Sequence, residues 1–146
     1  MPHIHTTPDA AERAFYDAFE RCNLEAMMGV WAEGDHIVCV HPSGGSALRG
    51  TTEVLEGWLH IFAREAHLKF TLCNVQRTET DDLAIHTGEE HVRRKDDPDV
   101  FAVILFTNVY RRSERGGWEM VIHHATTGGY REVEPEEDCA AGGVLH

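Results

Sequence analysis

Helical patterns fill the first part of this chain and strand patterns the second, with no alternation between them. Apolar residues recur at helical spacing through Ala11, Ala14, Phe15, Ala18, Phe19 and Cys22, again through Leu24, Met27, Met28 and Trp31, and a third time through Val54, Leu55, Trp58, Leu59 and Phe62. Only one short strand, Ile37 to His41, interrupts them, and Pro42 stops it. From Leu68 onward come four long strand patterns: Leu68–Glu79, Leu83–Arg93, Val100–Arg112 and Trp118–Thr126. The turns between them hold Asp81 and Asp82, then Asp96 to Asp99 around Pro98, then Glu114 to Gly117. Short connections make antiparallel neighbours. Helices followed by strands segregate to one side of such a sheet. The expected fold class is therefore α+β, a cone in which a curved antiparallel sheet wraps around three N-terminal helices. Its open mouth is a place for a small molecule.

The third long strand constrains the assembly. Phe101, Val103, Leu105 and Val109 point one way, and Val100, Ala102, Ile104, Phe106 and Tyr110 the other. A strand with one wet face alternates apolar and polar residues, and this one does not. Three helices cover one face only. A second copy of the chain is the simplest cover for the other, so a homodimer is expected, with Ile104 and Phe106 on the face it meets.

Composition narrows the partners. The 146 residues suffice for one domain with a real core. A formal charge of −12 opposes nucleic acid, whose phosphates need a basic surface. No apolar run approaches the ~20 residues that span a bilayer, so no membrane partner is expected. The start, MPHIHTTPDA, has neither a basic opening nor an apolar stretch, so no secretion signal is expected. The four cysteines, Cys22, Cys39, Cys73 and Cys139, form no C-x-x-C pair and read as reduced thiols of a cytoplasmic protein. Residues 1–7 read as a loose terminus, 8–128 as the domain, and 129–146 as an acidic, flexible tail. Thr7-Pro8-Asp9 is a helix start, with Thr7 as N-cap.

Three segments, AFYDAFERCNLEAMMGVWAEGDHIVCVHP (Ala14–Pro42), LRGTTEVLEGW (Leu48–Trp58) and GWEMVIHHATTG (Gly117–Gly128), resemble the nuclear-transport-factor-2-like superfamily, in its SnoaL-like and ketosteroid-isomerase-like branch. The resemblance covers about residues 8–128. It implies a conical fold with a pocket between helices and sheet, usually in a homodimer. The isomerases of that branch keep an Asp base just before a Pro at the end of the first strand, where this chain has His41-Pro42. They keep a Tyr donor in the first helix, which matches near Phe15, with Tyr16 one step off. Their protonated Asp donor falls near Thr107 or Asn108. The fold carries over, and steroid isomerisation does not.

The candidate site follows. His41 ends a buried strand beside the Ser43–Ser46 loop and can act as base or acid, with Trp31 or Trp58 as an aromatic wall. His123 and His124 are adjacent on a strand and face opposite sides; register with the resembled family implies His123 inside, as the second catalytic group, and His124 outside. Candidate ligand-binding residues are Trp31, Arg49, Trp58, Phe62, Thr107, Asn108 and His124. Glu89 and Glu90 read as a solvated strand end, and Cys39 and Cys73 have no adjacent base in sequence. No three-ligand spacing supports a metal, and no cofactor is expected. Two function classes remain open: a small-molecule-binding domain, acting as an isomerase or lyase by proton transfer on a small apolar substrate, or a non-catalytic ligand-binding or dimerisation domain.

Overall fold

The computed structural model describes residues 4–128, and the tail read from residue 129 onward lies outside them. Helix α1 (Pro8–Arg21) starts at Thr7, whose hydroxyl accepts from the Ala10 N–H at 3.0 Å. Helix α2 (Leu24–Met28) is capped by the Asn23 side chain. Two short strands, β1 (Val38–Val40) and β2 (Leu48–Arg49), lead into α3 (Gly50–Phe62). Four long strands complete the chain: β3 (Leu68–Glu79), β4 (Leu83–Arg94), β5 (Val100–Arg112) and β6 (Trp118–Thr127). They form one six-stranded sheet in the order β2-β1-β6-β5-β4-β3.

The sheet is mixed rather than wholly antiparallel. Strand β1 lies parallel to β6, pairing Cys39 with His123. Between β1 and β6 the chain runs through β2, α3 and β3 to β5, and the parallel pairing seats β1 on the edge that β6 would otherwise expose. The curvature has a local cause in β3, where the register with β4 slips between Cys73 and Gln76 and Asn74 takes a φ of 54°. Opposite the slip is Gly88, where a Cβ would press against the Cys73 carbonyl and Val75 at 3.1 Å.

The inner face packs on the helices through Phe15, Trp58, Tyr110 and Met120, all fully buried. Burying each such side chain contributes about 2–3 kcal/mol. Ile104 and Phe106 belong to this inner face, at 9% and 3% exposure, which corrects their assignment to the face a second copy would meet. By alternation Phe101, Leu105, Leu83 and Ile85 lie outside instead, and all four are exposed. Residues 4–7, read as loose, run beside β6: the Trp118 N–H donates to the His5 carbonyl at 2.7 Å, and His5 is buried. Cys22 and Cys39 are free thiols, but Cys73 is disulfide-bonded. The expectation of four reduced thiols is corrected there, because spacing along a chain does not tell which sulfurs folding brings together. Among the described residues, no helix is long and apolar enough to cross a membrane.

Candidate functional site

Cys39 lies on β1 and His41 just past its end, two residues on, and their side chains meet. The parallel pairing then sets His123 of β6 beside them. His41 Nε2 lies 3.5 Å from Cys39 Sγ, and the His41 ring stands edge-on to Trp58 at 4.8 Å. Helix α3 reaches this close because residue 57 is glycine: a Cβ there would collide with Leu48 and stand 3.5 Å from His41 Nε2. His41 and His123 are 6.3 Å apart, centre to centre, with Phe15 and Trp58 packed on His123.

From His123 a chain of hydrogen bonds crosses the inner face. Its Nδ1 is 2.6 Å from Asn108 Oδ1, directly opposite in the β5–β6 register. The Asn108 amide donates to Tyr16 Oη at 3.1 Å, and the Tyr16 hydroxyl donates to Glu90 Oε2 at 2.6 Å. All four residues are buried. Glu90 is therefore no part of a solvated strand end. The period of two along β4 puts it inside with Ala84 and His86, while Glu89 pairs with the buried His91 at 2.9 Å.

Burial sets the charges. It pushes His41 down to about 4 and His123 down to about 3, the latter helped by repulsion from His41 and His124. It lifts Glu90 to about 7 against the opposing hydrogen bond from Tyr16. It also drives the Cys39 thiol upward. Cys39 thus does have a base beside it, contrary to the reading from sequence. Both partners are nevertheless held neutral at pH 7, the reverse of the thiolate–imidazolium pair that a cysteine nucleophile requires. The indole N–H of Trp58 is buried without an acceptor among the described residues.

The other candidates separate. Trp31 is buried beside Met120, and Phe62 packs on Trp58 at 5.5 Å. Phe62 also lines a groove of about 550 Å³ between the ends of α1 and α3, together with Glu20, Arg21, Cys22, His67 and Lys95. Thr107 and His124 sit opposite each other on the outer face, His124 exposed. Arg49 is exposed on edge strand β2, with its backbone N–H bonded to Glu53. None of these three joins His41 and His123 on the inner face.

A second polar cluster holds the N-terminal end of α1. Glu12 Oε2 accepts from His86 Nδ1 at 2.9 Å, and Arg77 donates to Glu12 at 2.8 Å while pairing with Asp9 at 3.2 Å. Burial works to raise Glu12, but the hydrogen bonds from His86 and Arg77 outweigh it and hold the carboxyl below its usual value. Asp9, Glu12 and His86 bring three ligand atoms within 4.8 Å of one another. The Arg77 guanidinium already supplies the positive charge there.

A mixed, curved sheet over three helices, with His41 just past its first strand and His123 inside its last, is the architecture of the nuclear-transport-factor-2-like class. A family model of the SnoaL-like domain matches residues 9–127, and the chain belongs to that family. A solved structure from Thiobacillus denitrificans, a proposed calcium/calmodulin-dependent protein kinase type II association domain, is 38% identical, with a TM-score of 0.80 over 87% of this chain and 99% of that one. A proposed dehydratase of the NTF2-like family from Streptomyces avermitilis is 31% identical, with a TM-score of 0.72 over 85% of this chain and 100% of that one. F-box protein SKIP8 of Arabidopsis thaliana is 30% identical over 103 residues, 70% of this chain. The chain spans 42% of that protein's length.

Proposed function

We propose that this SnoaL-like domain binds a small, largely apolar carbonyl compound against Trp58 and His41 and moves a proton on it, in an isomerisation or dehydration. The observation that carries this reading is a buried, acceptorless Trp58 N–H beside a neutral His41. An orphaned buried donor calls for a partner, and a substrate oxygen is one. An N–H bonded to that oxygen stabilises an enolate, and a neutral imidazole can take the adjacent proton. Phe15 and Trp58 supply the apolar wall, and likeness to a proposed dehydratase agrees with this chemistry. The test is deuterium exchange into enolisable ketones, followed by NMR. Native protein should accelerate exchange for at least one ketone, and His41→Ala should lose about 100-fold or more. Equal rates for native and variant would overturn the reading.

A second reading has its own observation. Phe101, Leu105, Leu83 and Ile85 leave the outer face apolar and exposed, and a solved relative is a proposed association domain. On that reading the domain is a non-catalytic homodimer, or a larger assembly of copies, built on the outer face. Light scattering separates the two: Leu105→Lys should lower the native molecular mass without loss of fold, and a native monomer would end this reading.

A further inference from the structure

The chain Glu90–Tyr16–Asn108–His123 has a direction, and the direction is dictated by its first member. An ionised carboxylate can only accept. The single Tyr16 proton then goes to Glu90, and the phenol oxygen is left to accept from the Asn108 amide. The amide oxygen therefore faces His123, and Nδ1 must carry the imidazole proton. Nε2 is left with its lone pair.

A proton on Glu90 reverses every step when it sits on Oε2. That oxygen is 2.6 Å from Tyr16 Oη, while Oε1 has no hydrogen-bond partner among the described residues, so Oε2 is where the acid proton finds an acceptor, and the carboxylic acid then donates to Tyr16 Oη. The Tyr16 proton then needs a buried acceptor, since leaving it unpaired costs about 1–3 kcal/mol. A half-turn of the Asn108 amide provides one by presenting Oδ1 to Tyr16 and the amine to His123. Nδ1 must now accept, so the ring proton resides on Nε2. The two arrangements share one set of heavy-atom positions and differ by one proton, which resides on Glu90.

We propose that the protonation state of Glu90 sets which ring nitrogen of His123 carries the proton. His123 Nε2 is then an acceptor when Glu90 is ionised and a donor when it is protonated. Glu90 is a positioning residue: it selects whether the histidine beside His41 offers a base or an acid. This use of the switch rests on the proton-transfer reading above, but the switch itself does not. Tyr16 faces Glu90 from α1 and Tyr110 acts on it from β5, while its cross-strand neighbours are Leu72 and Ile104. At the far end, among the described residues, the charges of His41 and His124 bear on His123, and burial keeps His123 itself neutral across the range in which Glu90 titrates.

The experiment is a long-range proton–nitrogen spectrum of the 15N-labelled protein from about pH 5.5 to about pH 8.5. The His123 proton should reside on Nε2 at the acid end and on Nδ1 at the alkaline end. Glu90→Gln, which cannot titrate, should hold one tautomer throughout. Tyr16→Phe, which cuts the chain, should also abolish the pH dependence and serves if the first variant does not fold. A single tautomer in the native protein at all pH values, or a switch that survives in either variant, would overturn the inference. No ligand is needed: failure to find a substrate removes the catalytic reading and leaves the tautomer result standing, and a fixed tautomer leaves the role of His41 open.

Discussion

Helix α1 meets the sheet through two polar clusters one helical turn apart, and they solve burial in opposite ways. At Glu12 the helix supplies the acid and β4 supplies His86, with Arg77 closing the charge. At Tyr16 the helix supplies a phenol and β4 supplies the acid, Glu90. The Glu12 cluster opens to solvent at Arg77 and Asp9, so it can keep its ions, and the Glu12 carboxyl is held below its usual value. The Tyr16 cluster is closed, and burial presses its members toward neutrality, Glu90 up to about 7 and His123 down to about 3. An ionic cluster fixes a helix; a neutral one leaves protons free to be placed. That is why the chemistry is assigned to the second and the docking of α1 to the first.

The largest expected effect comes from breaking the ionic cluster inside. Glu12→Ala leaves the His86 Nδ1–H buried without its acceptor and Arg77 without its inner partner. It should destabilise the fold by about 3 kcal/mol in denaturant titration. A change below about 1 kcal/mol would mean that the cluster does not hold α1.

Next is a contrast in pH. A lowered carboxyl favours the fold in its ionised form, so the Glu12 contribution is present above its ordinary 4.5 and is lost as pH falls through the depressed value. Glu90 runs the other way. Its raised value means the folded state binds the proton more tightly, so its contribution is present below 4.5 and is lost as pH rises through about 7. Glu90→Gln should therefore gain stability relative to native between about pH 5 and about pH 7, by roughly 1–3 kcal/mol, and level off above. A difference that does not vary with pH would place Glu90 among ordinary carboxylates.

This pairing explains what was legible in the sequence. The long strands came within a residue of their ends, because the period of two and the acidic turns are strong local signals. That only one of His123 and His124 faces inward followed from alternation, and register with the resembled family picked His123, which is buried. What escaped was the stripe Glu12, Tyr16 and Glu20 on α1, spaced at four and all bonded to the sheet; Glu20 accepts from the Phe70 N–H at 2.9 Å. Charged residues on a helix normally mark its wet side, and here that inference failed because β3 and β4 curl past the helix. Glu90 was misread for the same reason, as one of a charged pair rather than as the inner member of a strand alternation. The Cys39–His41 contact was readable from i, i+2 spacing, but β2, only two residues long, carries too little pattern to see.

Tyr16→Phe probes the neutral chain directly. It removes the donor to Glu90 and the acceptor for the Asn108 amide but leaves the ring in its contacts with Phe15 and Phe70. A loss of about 1.5 kcal/mol is expected, smaller than for Glu12, because no charge is stranded. A loss equal to that of Glu12→Ala would mean that the two clusters are not different in kind.

The smallest effect tests the rim of the ionic cluster. Asp9 pairs with Arg77 at 3.2 Å and stands 3.9 Å from His86 Nε2, but more than half of its side chain is exposed, at 57%. Water screens such a pair, and its worth is at most about 1 kcal/mol. Asp9 also sits in the first turn of α1, where a negative charge gains a few tenths of a kcal/mol from the helix dipole. Asp9→Asn keeps the shape and removes both terms, so a loss of about 0.5 kcal/mol is expected by thermal unfolding at low salt, shrinking as salt is added. A loss several times larger, or one indifferent to salt, would show that Asp9 is bound into the buried part of the cluster. The ionic site would then be as closed as the neutral one, and the contrast between them would fail.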